Sequence, residues 1–118
     1  MNLAELFRHE TDLETLYAGQ TLFNENEPGE LMYVLMSGTA MIIVNRKIVE
    51  LAEAGTIVGE MAMIDDAKRS ATVVAKTDCT LLQIERKRFN FLIQQTPNFA
   101  LHVMRVMANR LRKTDAIL

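Results

Sequence analysis

Apolar residues along this chain change their spacing once, near Glu85. Up to that point they fall in short runs punctuated by Gly, Asn, Asp, Ser and Pro, the pattern of brief strands joined by turns. Leu13–Tyr17, Thr21–Phe23, Leu31–Met36, Thr39–Val44, Lys47–Leu51, Ser70–Lys76 and Cys79–Ile84 read as strands. Ala18-Gly19-Gln20, the cluster Asn24–Gly29 and Ser37-Gly38 supply turn residues between them. Asn45-Arg46 reads as a two-residue hairpin turn, since Asn tolerates positive φ. Thr77-Asp78 reads the same way. Asn2–His9 reads as a short helix with Asn2 as cap and Leu3, Leu6 and Phe7 on one side. Asp65–Lys68 is too short to be more than a loop. Beyond Glu85 the period becomes helical. Arg86–Gln95 forms a first helix with Phe89, Leu92 and Ile93 inward. Thr96 then serves as an N-cap and Pro97 opens a second helix. Along that helix Ala100, Val103, Met104, Met107 and Leu111 recur at three and four. The expected class is α+β: an antiparallel, jelly-roll-like β-roll with a short N-terminal helix and C-terminal helices.

Composition narrows the function classes. A chain of 118 residues is one domain, residues 1–118, able to bury a core without disulfides or metal. Thirteen basic against fifteen acidic residues leave no basic field for nucleic acid. Cys79 is alone, so neither a disulfide framework nor a four-ligand zinc site is expected. Glu5, Arg8, His9, Glu10 and Asp12 exclude the apolar core of a signal peptide. No apolar run approaches a membrane span. A cytoplasmic protein without membrane or direct nucleic-acid partners is expected. No repeat, low-complexity tract or linker is visible.

The candidate chemistry lies in Gly59-Glu60-Met61-Ala62 and, six residues on, Arg69-Ser70-Ala71-Thr72. A tight Gly turn, an acid, exposed amides and one Arg suit a cyclic phosphodiester beside a ribose. Arg meets phosphate through two parallel charge-assisted bonds. A carboxylate accepts from a ribose hydroxyl. Amides at a helix start or in a nest face an anion without formal charge. Each residue also has a plain reading. Arg69 can pair with Asp65 or Asp66 on the surface. Glu60 can favour a helix N-terminus, Gly59 can be a simple turn, and Ser70-Ala71 can merely begin a strand.

These segments resemble the phosphate-binding cassette of the cyclic nucleotide-binding domain family. Thr56–Met63 is similar to its Gly-Glu-(Leu/Met)-Ala core, and Arg69–Val73 to its Arg-(Ala/Ser/Thr)-Ala-(Thr/Ser)-Val end. Pro28-Gly29-Glu30, the strand Leu31–Met36, the turn Ser37-Gly38-Thr39 and Gly55 extend the likeness over roughly residues 15–118. Glu30 stands where the family more often has Asp. The resemblance implies a 3′,5′-cyclic purine nucleotide as ligand, cAMP in preference to cGMP, bound by a non-catalytic sensor or regulatory module. It implies ligand contacts from Gly59, Glu60, Met61, Ala62, Arg69, Ser70 and Ala71. The residue after the Arg differs between cAMP receptors of the catabolite-activator type, kinase regulatory subunits and cGMP-preferring members. Ser70 carries a hydroxyl and so leaves cGMP open. Ala108–Asp115 resembles the activator helix that meets the adenine, which makes Thr114 a base contact or, equally, an ordinary interface Thr. Asp115 stands where the activator has Ser.

Other features point away from chemistry. His9 and His102 lack partners at metal spacing, and no Ser-His-Asp or Cys-His set is credible, so neither a metal nor catalysis is expected. The eight Met residues read as adaptable core filling. Arg105, Arg110, Arg112 and Lys113 form a basic patch that reads as the solvated face of the last helix, or as favourable charge near its C-terminus. No helix-turn-helix, kinase, channel or cyclase segment follows, and the start Met1-Asn2-Leu3 looks native. A stand-alone domain with an effector of unknown identity is expected. The stripe Ala100, Val103, Met104, Met107, Leu111 and Leu118 is longer than one small roll requires. It predicts a homodimer through the last helix, moved by nucleotide. The alternative is a helix folded back as an intramolecular lid. A ligand-independent interaction module on the same fold is the alternative function.

Overall fold

The computed structural model describes residues 1–65 and 68–117, without the side chains of Thr114, Ala116 and Ile117. Among the described residues eight strands form two antiparallel sheets. One has the order β1 (Glu14–Leu16), β8 (Cys79–Ile84), β3 (Met32–Ser37), β6 (Ile57–Val58). The other has the order β2 (Thr21–Phe23), β7 (Thr72–Ala75), β4 (Ala40–Val44), β5 (Lys47–Ala52). Helices α1 (Leu3–Leu6), α2 (Met61–Ile64), α3 (Arg86–Gln95) and α4 (Pro97–Ile117) complete the chain. The architecture is the expected α+β jelly roll.

The pleat explains how one sheet serves two cores. Successive side chains of a strand point to opposite faces. On β3, Tyr33 and Leu35 enter the space between the sheets, while Met32 and Val34 face the helices. On β8, Cys79 and Leu81 point one way and Leu82 and Ile84 the other. Both faces of these strands therefore carry core residues, and Met32–Leu35 and Leu81-Leu82 are apolar throughout, while Gln83 and Ser37 are exposed. The helix-side core is filled by Leu3, Phe7, Phe89, Phe99 and Val103, with the Phe89 and Phe99 rings edge to face at 5.8 Å.

Local chemistry sets several boundaries. Asn45 and Arg46 both take positive φ, 51° and 67°, which is the two-residue hairpin turn the pattern predicts. Asn2 caps α1 by accepting from the Glu5 amide at 3.3 Å. That helix is shorter than the predicted 2–9, and Leu6 is exposed because a single turn presents only Leu3 and Phe7 to the core. Thr77-Asp78 is a correction. It is no hairpin turn, since β7 and β8 lie in different sheets. Thr39 catches the corner: its carbonyl accepts from the Lys76 and Thr77 amides, and its own amide donates to Thr77 Oγ1. Strand β6 was not predicted, and a short helix starts after Glu60 as expected. Of the predicted loop Asp65–Lys68, residues 66 and 67 lie outside the described residues.

The last helix departs from the predicted stripe. Phe99 and Val103 are buried and Met107 is half-buried, but Met104 and Leu111 are 56% and 64% exposed. The roll takes one flank of the stripe and leaves the other outside. Leu118 lies outside the described residues. Among the described residues no helix is long and apolar enough to cross a membrane.

Candidate nucleotide site

The two sequence segments meet where β6 ends and β7 begins. Gly59 follows Val58 at φ 76°, a region that favours glycine. It turns the chain so that Glu60 stands at the head of α2. The Glu60 carboxylate does not cap that helix. It pairs instead with Arg110 of α4, Nη1 to Oε1 at 2.9 Å.

A cavity of about 220 Å³ opens beside this pair. Its apolar wall is Ile42 and Val44 of β4 and Val49 of β5; Ser70 and Ala71 border it where the chain enters β7. Glu60 and Met61 form another side, and Met107, Arg110 and Leu111 of α4 close it. A smaller recess continues toward Gly59, Phe23, Val58 and Val73. The site is thus an apolar slot with a carboxylate, a hydroxyl and a guanidinium on its rim. Mostly apolar walls with a few placed polar groups are the usual character of a small-molecule site.

Arg69 sits immediately behind this wall and lines neither space. Only 7% exposed, its Nη1 donates to the Leu31 carbonyl at 2.8 Å and more weakly to that of Gly59 at 3.4 Å. The Cζ atom lies 4.0 Å from the centroid of the Phe23 ring, a cation–π contact. Two glycines make room for it. A Cβ on Gly29 would stand 2.1 Å from Nε, and one on Gly59 2.7 Å from Nη1. The buried Nε has no hydrogen-bond partner among the described residues. Burial lowers the Arg69 pKa, with Tyr33, Glu27 and Glu60 opposing. The surface reading of Arg69 is therefore corrected: it is a cation held indoors by carbonyls and a ring face.

Six of the expected site residues come together. Glu60, Met61, Ser70 and Ala71 line the cavity, Gly59 its recess, and Arg69 backs onto Gly59. Ala62 does not join them. It is buried in the helix-side core, its amide donates to the Gly59 carbonyl at 3.2 Å, and its own carbonyl accepts from Arg86. Thr114 belongs to α4, but its side chain lies outside the described residues.

Arg110 is the residue that sequence reasoning missed. It is not part of a solvated face. Nε and Nη2 fork onto Glu50 of β5 at 3.1 and 3.2 Å, and Nη2 also reaches the Ile57 carbonyl at 2.6 Å. The Arg110 and Glu50 side chains are each only 14% exposed. Burial alone lowers the Arg110 pKa, but the Glu60 and Glu50 carboxylates outweigh it and the net shift is upward. One signal was present in the sequence: Arg110 falls three residues after Met107 and seven after Val103, on the inward face. Arg105, Arg112 and Lys113 are exposed as expected. Cys79 is buried, and burial pushes its thiol up, away from reactivity. Among the described residues no three His, Cys, Asp or Glu are grouped to hold a metal.

Comparison with known proteins identifies the family. Residues 13–96 match the family described as cyclic nucleotide-binding domain, and the chain belongs to that family. Over 101 residues it is 30% identical to the cAMP-activated global transcriptional regulator CRP of Salmonella typhimurium, covering 80% of this chain and 48% of that one. It is 29% identical over 100 residues to the lysophospholipase NTE1 of Chaetomium globosum, covering 80% of this chain and 7% of the enzyme. The crystal structure of the Thermus thermophilus catabolite activator protein superposes with TM-score 0.76 at 25% identity, over 94% of this chain and 60% of the other. The chain spans less than half the length of these curated relatives. Membership supports the binding of a cyclic nucleotide in a regulatory role.

Proposed function

We propose that the cavity between β4, β5, the cassette and α4 binds a 3′,5′-cyclic purine nucleotide, cAMP in preference to cGMP, and that the domain is a non-catalytic sensor. One observation carries the reading. Glu60, Ser70 and Ala71 share a cavity whose recess at Gly59 is backed by Arg69, a buried guanidinium with one N–H lacking a partner among the described residues. Its present acceptors are neutral carbonyls, and an anion makes stronger, charge-assisted bonds. A phosphate at the recess would draw Arg69 from Leu31 past Gly59. Glu60 would accept from the ribose 2′-hydroxyl, with Ser70 and the Ala71 amide on the phosphate, and the base would lie along Ile42, Val44 and Val49 toward α4. Preference for cAMP is supported by two relatives, one named a cAMP-activated regulator and one a cyclic AMP receptor protein, and by Ser70, which follows the Arg as in members of the catabolite-activator type. Thr114 remains the candidate base contact on α4.

The response runs through α4. Ligand that takes Glu60 from Arg110 binds one position of this helix better than another, which is what a population shift requires. The exposed flank Leu101, Met104 and Leu111 would pair α4 with its symmetry mate in a homodimer. Calorimetry with cAMP and cGMP tests the ligand. Saturable heat with cAMP at lower concentration than with cGMP is expected, and loss of binding in Arg69→Ala. No heat with either at millimolar ligand would end the reading. A ligand-independent interaction module is the second reading, favoured by one fact: Glu60 and Arg110 already satisfy each other across the site.

A further inference from the structure

We propose that Glu50, which touches neither cavity, is the latch that holds α4 over the nucleotide site and sets how readily the site admits its ligand. The inference rests on the nucleotide reading above. The cavity measures about 220 Å³, below the roughly 300–1,000 Å³ of typical ligand sites, so a nucleotide needs a wall to move. Ile42, Val44 and Val49 are fixed in a hydrogen-bonded sheet. Met107, Arg110 and Leu111 all belong to α4, an element outside that sheet.

What keeps α4 in place changes along its length. Phe99 and Val103 bury its first turns in the helix-side core. Farther on, Leu111 is mostly exposed and offers little apolar hold. There the attachment is polar and runs through Arg110. Glu60 receives one bond from it, at 2.9 Å, whereas Glu50 receives a two-pronged fork and has Lys113 at 3.8 Å as a second cation. A planar guanidinium and a carboxylate fit each other bidentately, and this is the most directional of charged pairs. If a ribose hydroxyl takes Glu60, the fork to Glu50 still ties the helix to β5. Movement of α4 therefore has to break the Glu50 fork or carry it along. Glu50 lines neither the cavity nor its recess, so it acts on the ligand only through Arg110 and is a positioning residue.

A latch that disfavours the competent position weakens apparent affinity by the fraction of molecules in that position. Glu50→Gln keeps the side chain's size but removes the charge and half the fork. Glu50→Asp keeps the charge but is one methylene too short to reach. Two readouts apply to each: calorimetric affinity for cAMP, and hydrogen exchange of the 104–113 amides without nucleotide. Both variants are expected to bind cAMP about three- to tenfold more tightly, and to exchange those amides faster while the 33–35 amides stay protected. Unchanged or weaker binding, or unchanged exchange, would overturn the latch. Should one variant fail to fold, the other carries both arms. Should the native chain give no heat with cAMP, the nucleotide reading fails by itself, and the exchange arm still decides whether Glu50 holds α4.

Discussion

Arg110 of the last helix meets Glu60 of the cassette at 2.9 Å, with both side chains largely withdrawn from water. The contact joins the cassette to the last helix, two segments well separated in sequence. It also neutralises a carboxylate that the Glu50 fork alone would leave next to a second one. Arg110→Ala should therefore cost about 3 kcal/mol of stability, because two carboxylates lose their shared cation. Chemical denaturation measures it. A loss under about 1 kcal/mol, the usual worth of an exposed pair, would mean that water screens the cluster.

The cradle of Arg69 predicts an asymmetry between two glycines. Gly59→Ala strains the backbone, which lies at φ 76°, and brings a methyl within 3.0 Å of the Leu31 carbonyl as well as against Arg69. For Gly29→Ala the nearest atoms all belong to the Arg69 guanidinium, the far end of a side chain, and the backbone there has no positive φ. Gly59→Ala should be the less stable variant by about 1–2 kcal/mol. Equal thermal denaturation of the two would show that the turn at Gly59 is not constrained as described.

His102 predicts a pH dependence. Burial, then the N-terminal ammonium and Arg105, lower its pKa from the ordinary value of about 6.5. The unfolded chain then binds a proton at a higher pH than the folded one does. Stability from this group is fully present above about pH 6.5 and is lost as pH falls through the window down to the folded pKa. His102→Gln should flatten the stability profile below pH 6.5 and leave it unchanged above pH 7. An identical acid limb in native and variant protein would assign the acid loss to other groups.

The outer flank of α4 predicts assembly. Light scattering at micromolar protein should report a dimer, and Met104→Asp or Leu101→Asp should yield monomer with the fold intact. Met107 is the wrong residue for this test, since it borders the cavity. A monomeric native chain, with and without cAMP, would leave α4 as an intramolecular lid.

Much of the fold could be read from turn chemistry. Asn45-Arg46 and the residues around Pro28-Gly29 separate strands whose inward positions alternate. Ile57–Val58 escaped because two residues carry no periodicity, and they lie between Gly55 and Gly59 in a stretch dominated by the cassette. Thr77-Asp78 looked like a hairpin because sheet membership there is decided by Thr39, which lies far away in sequence. The cassette residues were legible as a set, yet the direction of Arg69 was not. Its rotamer depends on space left by Gly29 and on the Leu31 carbonyl. Arg110 was read with its charged neighbours instead of with Val103 and Met107. Its burial and its bonds to Glu50, Glu60 and the Ile57 carbonyl distinguish it from Arg105 or Arg112.

The central claim is that a cyclic nucleotide occupies the cavity bounded by Glu60, Ser70, Ala71 and Arg110. An amide spectrum of the isotope-labelled chain, titrated with cAMP, tests it most directly. The account predicts saturable shifts at Gly59, Glu60, Ser70 and Ala71 together with the 107–113 turns of α4, and small changes at β1. A spectrum that stays unchanged at millimolar cAMP, or shifts confined to residues away from these, would contradict it.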